Sequence, residues 1–478
     1  MNILLISCYE LGHQPLGLAS PAAHVLAEGL PLGCLDLSVE PFDEEKVRKA
    51  SFIGISIPMH TAIRLGVKVA ERVREINPAC HICFYGLYAS LNGEYLLKTH
   101  ADSVIGGEFE RPLMNLLRSL LGRPVDDLSG VWTKSHRSEP FLGRQPFLPP
   151  LRYLLPPLSR YARLDTGSEL KLVGCVEASR GCAHQCLHCP ITPVYSGRMR
   201  IIHEDVVLAD IRNLVDMGVE HITFYDPDFL NGVEHSMRIV HRMHDEFPHL
   251  TFDMTAKIEH IVDYRCLIPE LKELGCVFIQ SAVESLNDAI LGYLEKEHTK
   301  SDVLKALEIT RTAEISLRPS LVSFTPWTTP TDYLEVLEFV EEQDLIYAVD
   351  PVQFAIRLLL PPGSSLLGTP QIAPFVGELD AEKFSYEWKH PDPGMDALES
   401  EVCQVVELAA RTSEDPLLTF LKIRGLALSS IAGKRVEVPD LKIRPKGGRP
   451  PRLTESWFCC AEPTQDQLIP ITSSSVVI

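Results

Sequence analysis

Short apolar runs alternate with stretches of helical spacing along most of the chain. In the first part the runs fall at 3–7, 34–37, 52–56, 82–85 and 103–105. Between them, residues 16–28, 44–50, 62–76, 94–98 and 110–121 repeat apolar positions with a helical period. Apolar strands alternating with helices predict a parallel sheet covered on both faces. Five such units predict a doubly wound α/β domain over 1–122. Residues 123–168 are rich in proline, carry no sustained period, and read as a linker with room for one short hairpin. A second alternation then begins. Its strands are expected at 172–178, 221–225, 251–254, 277–281, 316–322 and 351–355. Helical stretches lie at 203–217, 235–247, 301–313 and 332–343. Six strand–helix units over 169–365 predict a partial (β/α)6 barrel rather than a full eight-unit one. Beyond 366 the pattern weakens into a C-terminal extension over 366–478. It holds one expected helix at 396–411 and an irregular, loop-like stretch after Lys442.

Composition narrows the class. The net charge of −19, with no Lys/Arg block, argues against a nucleic-acid partner, because tracking phosphates needs a basic face. No run reaches the roughly 18 consecutive apolar residues of a membrane span. The opening Met1-Asn-Ile-Leu-Leu-Ile-Ser7 lacks the basic start and small-residue cleavage site of a signal peptide. A cytoplasmic protein with no membrane partner is the expectation. Thirteen cysteines without an export signal do not suggest a disulfide framework. Most are scattered singly, as small core hydrophobes are. Two groups stand apart: a trio at 182–189 and an adjacent pair at 459–460.

The trio lies in Ser179-Arg-Gly-Cys182-Ala-His-Gln-Cys186-Leu-His-Cys189-Pro190, directly after the first expected barrel strand. That is the carboxyl-end mouth of a barrel, where active sites sit. Three thiolates in eight residues can wrap one compact cluster of soft metal and leave one metal position open. Zinc with His184 or His188 as fourth ligand is the alternative, but zinc sites usually take a second ligand pair, and none follows nearby. The CxxxCxxC loop resembles the signature of the radical S-adenosylmethionine (SAM) superfamily. The resemblance implies a [4Fe-4S] cluster on Cys182, Cys186 and Cys189, with SAM bound to the open iron. One residue departs from it: His188 stands where an aromatic residue usually precedes the third cysteine. Tyr225-Asp-Pro-Asp228, Ser281-Ala-Val-Glu-Ser285 and Leu294-Glu-Lys296 also resemble the family. They imply Glu284 as a contact to the ribose and amino-acid part of SAM, and Asp226 as a further cofactor-site residue. Arg318 could pair the SAM carboxylate as a fork. Helix capping or surface pairing is the bland alternative for Asp226 and Arg318.

The first domain resembles the cobalamin-binding, flavodoxin- or Rossmann-like domain that precedes the barrel in one class of this superfamily. Pro15-Leu-Gly-Leu-Ala-Ser20, Gly54-Ile-Ser56-Ile-Pro-Met-His-Thr61, Tyr85-Gly86 and Ile105-Gly106-Gly107-Glu108 each lie at or past a strand end. Glycine there permits close approach to a large ligand, so Ser56, Gly86, Gly106 and Gly107 are expected cofactor contacts. The DxHxxG pattern that supplies a cobalt ligand in many cobalamin proteins is absent, since neither His13 nor His60 follows an aspartate at the right offset. Two alternatives stand: cobalamin without a histidine ligand, or the fold without cobalamin.

The ending Trp457-Phe458-Cys459-Cys460-Ala461-Glu462-Pro463 combines aromatics and adjacent thiols where chain ends are usually plain. Passive docking of the tail is one reading. The other makes Cys459 and Cys460 catalytic, as a soft chelate or redox pair. The ending resembles a radical SAM group named for its CUAEP/CCAEP tail, some of whose members carry selenocysteine. It also resembles the radical SAM component of arsinothricin biosynthesis. That resemblance implies transfer of the 3-amino-3-carboxypropyl part of SAM to thiol-bound trivalent arsenic. The alternatives are a cobalamin-dependent radical SAM methyltransferase acting on carbon or phosphorus, and a non-catalytic metal or selenium carrier. A small-molecule substrate and an electron donor of the flavodoxin or ferredoxin kind are the expected partners.

Overall fold

The computed structural model describes residues 1–436 and 449–472. Part of the loop-like stretch expected after Lys442 therefore lies outside the described residues. The first sheet contains β1 (Ile3–Ser7), β2 (Leu32–Asp36), β3 (Phe52–Ser56), β4 (His81–Tyr85), β5 (Ser103–Ile105) and β6 (Val131–Thr133). Its order is β2-β1-β3-β4-β5-β6. The first five strands run parallel, and β6 closes the edge antiparallel to β5. Strand order 2-1-3-4-5 is the doubly wound arrangement whose ligand crevice opens where β1 and β3 part. Its inner strands β1, β3, β4 and β5 are buried along nearly their whole length, with separate apolar clusters on the two faces. That burial is why they read as unbroken apolar runs.

The second sheet is the curled half-barrel. Its strands are β7 (Arg163–Asp165), β8 (Leu170–Val176), β11 (His221–Phe224), β12 (Thr251–Thr255), β13 (Cys276–Glu284), β14 (Ser316–Leu321) and β17 (Arg452–Leu453). Their order is β14-β13-β12-β11-β8-β7-β17. β8 and β11 to β14 are parallel. β7, at the end of the expected linker, forms a hairpin with β8, and the tail strand β17 adds antiparallel to β7. A separate ribbon of β9 (Ser179–Gly181) and β10 (Met199–Ile201) closes the base of the cysteine loop. A second small ribbon pairs β15 (Val376–Asp380) with β16 (Ser385–Trp388).

Two elements differ from the pattern. The strand expected at 351–355 is a 3-10 turn, Pro351–Ala355. Proline at its first position has no N–H for a ladder. The sixth barrel position is instead taken just downstream, where Arg357 bridges in parallel to Phe324. The extension also holds two long helices, Pro393–Thr412 and Pro416–Ala432. Each begins with an aspartate cap, Asp392 or Asp415, followed by proline. The second lacks a single apolar stripe, which hid it. Among the described residues, no helix is long and apolar enough to cross a membrane.

Buried ion pairs join the two halves. Arg152, from the linker, bonds Asp210 through Nε at 3.0 Å and Nη2 at 2.8 Å. Arg180 of β9 reaches Glu110 at 2.8 Å and Glu108 at 3.5 Å in the first domain, and Glu177 at 2.8 Å.

Candidate cofactor and substrate site

The cysteine loop leaves β8 through β9 and returns along β10. Gly181 makes that exit possible: its φ is +73°, and a Cβ there would lie 2.4 Å from the Arg198 carbonyl oxygen. Cys186 is buried, and Cys182 and Cys189 are half-buried. The loop is fixed by its backbone. Cys189 N–H donates to the Cys186 carbonyl at 3.2 Å, and Leu187 N–H to the Leu294 carbonyl at 3.0 Å. Asn231 Nδ2 lies 3.4 Å from the Cys182 sulfur. Burial, reinforced by the Cys186 and Cys182 sulfurs, pushes the Cys189 thiol up to about 12. Thiolates crowded into one loop repel one another unless a cation joins them. This donor set fits an iron–sulfur cluster, which binds thiolate and supplies that charge.

Glu284 ends β13 at a register shift against β14 and adopts a left-handed backbone with φ of 64°. Such a conformation in a non-glycine residue costs about 1–3 kcal/mol and gathers at functional sites. Its Oε1 lies 3.2 Å from Lys296 Nζ and 3.2 Å from His188 Nε2. Burial alone would raise this carboxyl, but Lys296 and His188 together pull it down to about 2. His188 thus orients an anion where the family usually carries an aromatic ring.

Asp226 faces the same cavity but spends its oxygens on the root of the cysteine loop. Oδ2 accepts from Ala178 N–H at 2.9 Å, and Oδ1 from the Ser179 hydroxyl at 2.6 Å. Burial raises it to about 7. Arg318 also lines the cavity, with Nη2 donating to Asp350 at 2.7 Å and its guanidinium 5.7 Å from the Phe278 ring centre. One face of its fork is therefore already taken.

The glycine turns of the first domain are filled from within. A Cβ at Gly106 would lie 2.3 Å from Ser90, and one at Gly107 would lie 2.4 Å from the Phe141 carbonyl oxygen. Ser56 packs its hydroxyl against Gly17, where a Cβ would lie 2.1 Å away. Gly86 adopts φ of +112° against the Ile57 carbonyl. The close approaches at these turns are made by the chain itself.

The crevice beyond β3 is covered by the tail. Thr61 N–H donates to the Cys459 carbonyl at 3.2 Å, and its hydroxyl donates to the Ala461 carbonyl at 2.7 Å. Glu462 accepts from Arg64 Nε at 2.8 Å and lies 3.0 Å from His60 Nε2. Trp457 Nε1 closes the turn onto the Glu462 carbonyl at 2.8 Å. The two sulfurs stand 3.6 Å apart as free thiols. The neighbouring Cys459 sulfur, burial and the Glu284 charge hold Cys460 well above its ordinary value. A single cavity of about 410 Å³ is lined by Tyr88, Cys189, Glu284, Arg318, Cys459 and Cys460, among others. It spans the first domain, the barrel mouth and the tail. Sequence reasoning had read Thr61 as part of a ligand turn and missed its grip on the tail. The acidic residue three positions after Cys459 was the available signal. The pairing of Lys296 with Glu284 is also unmarked in the sequence, because the turn that brings them together across 12 positions has no periodic signal.

Residues 176–340 match the model of the radical SAM superfamily, and the chain carries a radical SAM domain. Members of that superfamily use a [4Fe-4S] cluster and SAM. The chain is 28% identical over 182 residues to the ribosomal protein uS12 methylthiotransferase RimO of Porphyromonas gingivalis, a match spanning 35% of this chain and 40% of that protein. It is 23% identical to an uncharacterized methyltransferase, PH0819, of Pyrococcus horikoshii, over 73% of this chain and 76% of that one. In fold it is similar to the cobalamin-dependent SAM radical enzyme OxsB, solved with aqua-cobalamin and SAM bound. The TM-score is 0.68 at 15% identity, covering 86% of this chain and 68% of OxsB.

Proposed function

We propose that this protein is a radical SAM transferase that adds a SAM-derived group to a small, soft acceptor held by Cys459 and Cys460. The specific case we favour is 3-amino-3-carboxypropyl transfer to thiol-bound trivalent arsenic. One observation carries the reading: both tail sulfurs line the same cavity as Cys189 and Glu284. Bound on Cys182, Cys186 and Cys189, a cluster would supply the one-electron reduction that breaks a sulfur–carbon bond of SAM. The electron would come from a donor of the flavodoxin or ferredoxin class.

The chain's own residues supply the rest. Glu284, kept ionised by Lys296 and His188, offers an acceptor for hydroxyl or ammonium donors of SAM. Arg318, with one edge on Asp350, offers its remaining donors to a carboxylate. Adjacent thiols form a soft chelate that selects thiophilic atoms over hard oxyanions. Trp457 and Phe458 line the same wall and limit the entry of water.

A second reading is a cobalamin-dependent methyltransferase, supported by the doubly wound domain and the likeness to OxsB. With the tail seated as described, the crevice does not fit a corrin. One would enter only after residues 457–462 lift from His60, Thr61 and Arg64.

The test is product analysis after anaerobic reconstitution with SAM, a reductant and arsenite. Methylthioadenosine together with an aminocarboxypropyl arsenical is the expected outcome, abolished in Cys459→Ser and Cys460→Ser. Equal arsenite binding by wild type and both variants would overturn the thiol reading. A methylated product that requires added cobalamin would favour the second.

A further inference from the structure

His184 lies within the cysteine loop but takes no part in the CxxxCxxC pattern. Its ring meets that of His260, at the start of the helix Ile258–Asp263, with the two Nε2 atoms 3.3 Å apart. Asp228, just beyond β11, brings Oδ2 to 2.7 Å from His260 Nδ1 and 3.9 Å from His184 Nε2. One ligand-type atom from each residue lies within 4.8 Å of the other two. Two donors held about 2.0–2.1 Å from one zinc ion lie no more than about 4.2 Å apart, and Asp228 Oδ2 stands within that distance of both His184 Nε2 and His260 Nδ1.

Two observations separate this trio from an incidental polar cluster. The first is an orphan. Asp228 is 1% exposed, and its Oδ1 accepts from Leu230 N–H at 3.1 Å. Its Oδ2 has no hydrogen-bond partner, and neither has Nδ1 of His260. The two atoms instead stand 2.7 Å apart as an ion pair.

The second is charge. Glu297 Oε2 lies 2.9 Å and Glu259 Oε2 4.0 Å from His184 Nδ1. Lys257 Nζ bonds both glutamates, at 2.7 and 3.2 Å. Three carboxylates and one ammonium leave a formal deficit that a divalent cation cancels.

We infer that His184, Asp228 and His260 bind one divalent transition-metal ion of the zinc class, outside the central cavity, and that it clamps the cysteine loop to the barrel. Glu297 would act from behind. By accepting the Nδ1 proton of His184 it leaves the Nε2 lone pair for the ion. Lys257 Nζ stands 2.8 Å from the same Nδ1. The inference does not depend on which group the protein transfers.

The test is metal counting on the full chain with its cluster reconstituted, after exposure to zinc and desalting. Wild type should retain about one zinc beside about four irons per chain. His260→Ala and Asp228→Asn should keep the iron and lose the zinc, the iron count reporting that the fold survives. Glu297→Gln should weaken zinc retention by about 10–100-fold without removing a ligand. Replacing zinc with cobalt should produce visible d–d absorption that His260→Ala abolishes. Zinc content in wild type no higher than in His260→Ala and Asp228→Asn would overturn the site. It would leave the trio as a hydrogen-bonded chain.

Discussion

Lys296 Nζ stands 3.2 Å from Oε1 of Glu284, a residue held in left-handed backbone at the end of β13. Both side chains are buried. Removing one partner of a buried pair typically costs about 3–5 kcal/mol, because the other charge is left uncompensated. Lys296→Met should therefore lower the unfolding free energy of the cluster-free protein by about that amount at pH 7. A depressed carboxyl stabilises above its unfolded value and loses that contribution as pH falls through its folded one. For Glu284 the window runs from about 4.3 down to about 2. Chemical denaturation of wild type and Lys296→Met should converge across that window, and a constant gap would refute the pairing.

Asp226 has the opposite sign. Burial raises it to about 7, so its folded form holds a proton that its unfolded form has released. That contribution is full below about 3.9 and is lost as pH rises to about 7. Asp226→Asn, which keeps one acceptor for Ala178 N–H, should flatten the decline of stability between those limits. Thermal melts of the two proteins across a pH series would read it directly.

Iron content distinguishes the cysteines. Cys182→Ala, Cys186→Ala and Cys189→Ala should each lose most of the about four irons per reconstituted chain. Cys266→Ala and Cys403→Ala, at an exposed and a half-buried site away from the cavity, should keep them. Iron analysis and the visible absorption of the cluster are sufficient measures.

The seat of the tail can be loosened without touching its thiols. Thr61→Val removes the hydroxyl that bonds the Ala461 carbonyl. One such bond is worth about 0.5–1.5 kcal/mol, so alkylation of Cys459 and Cys460 should accelerate about fivefold. Glu462→Gln, which weakens the contacts to His60 and Arg64, should add to it. Uptake of aquacobalamin, followed by its visible spectrum, should rise in the same variants if the tail covers a corrin crevice. Unchanged alkylation would mean that the tail is held elsewhere.

Local pattern carried the architecture. Fully buried parallel strands read as apolar runs, so β1 and β3 announced themselves, with β4 close behind, while the barrel strands β8, β11, β12, β13 and β14 showed as mixed segments set between helical stretches. The cysteine loop was legible for the same kind of reason, since its three cysteines lie within eight residues. Where the signal depends on partners far along the chain, it vanished. The added strand β17 rests on pairing with β7 between residues about 290 positions apart, whereas the hairpin of β7 with β8 is local and within reach of the sequence pattern. The turn at Pro351–Ala355 depended on one missing N–H.

By itself, then, the amino-acid order determined two layered α/β domains and a thiol loop at a strand end, because periodicity and ligand spacing are local. It also marked Cys459 and Cys460 as unusual. Only the tertiary structure decided where they lie. It laid the tail across His60, Thr61 and Arg64, brought both thiols into the cavity of Glu284 and Cys189, and set His184 against His260 and Asp228. Those meetings come from packing and hydrogen bonds between distant segments, which no window of sequence contains.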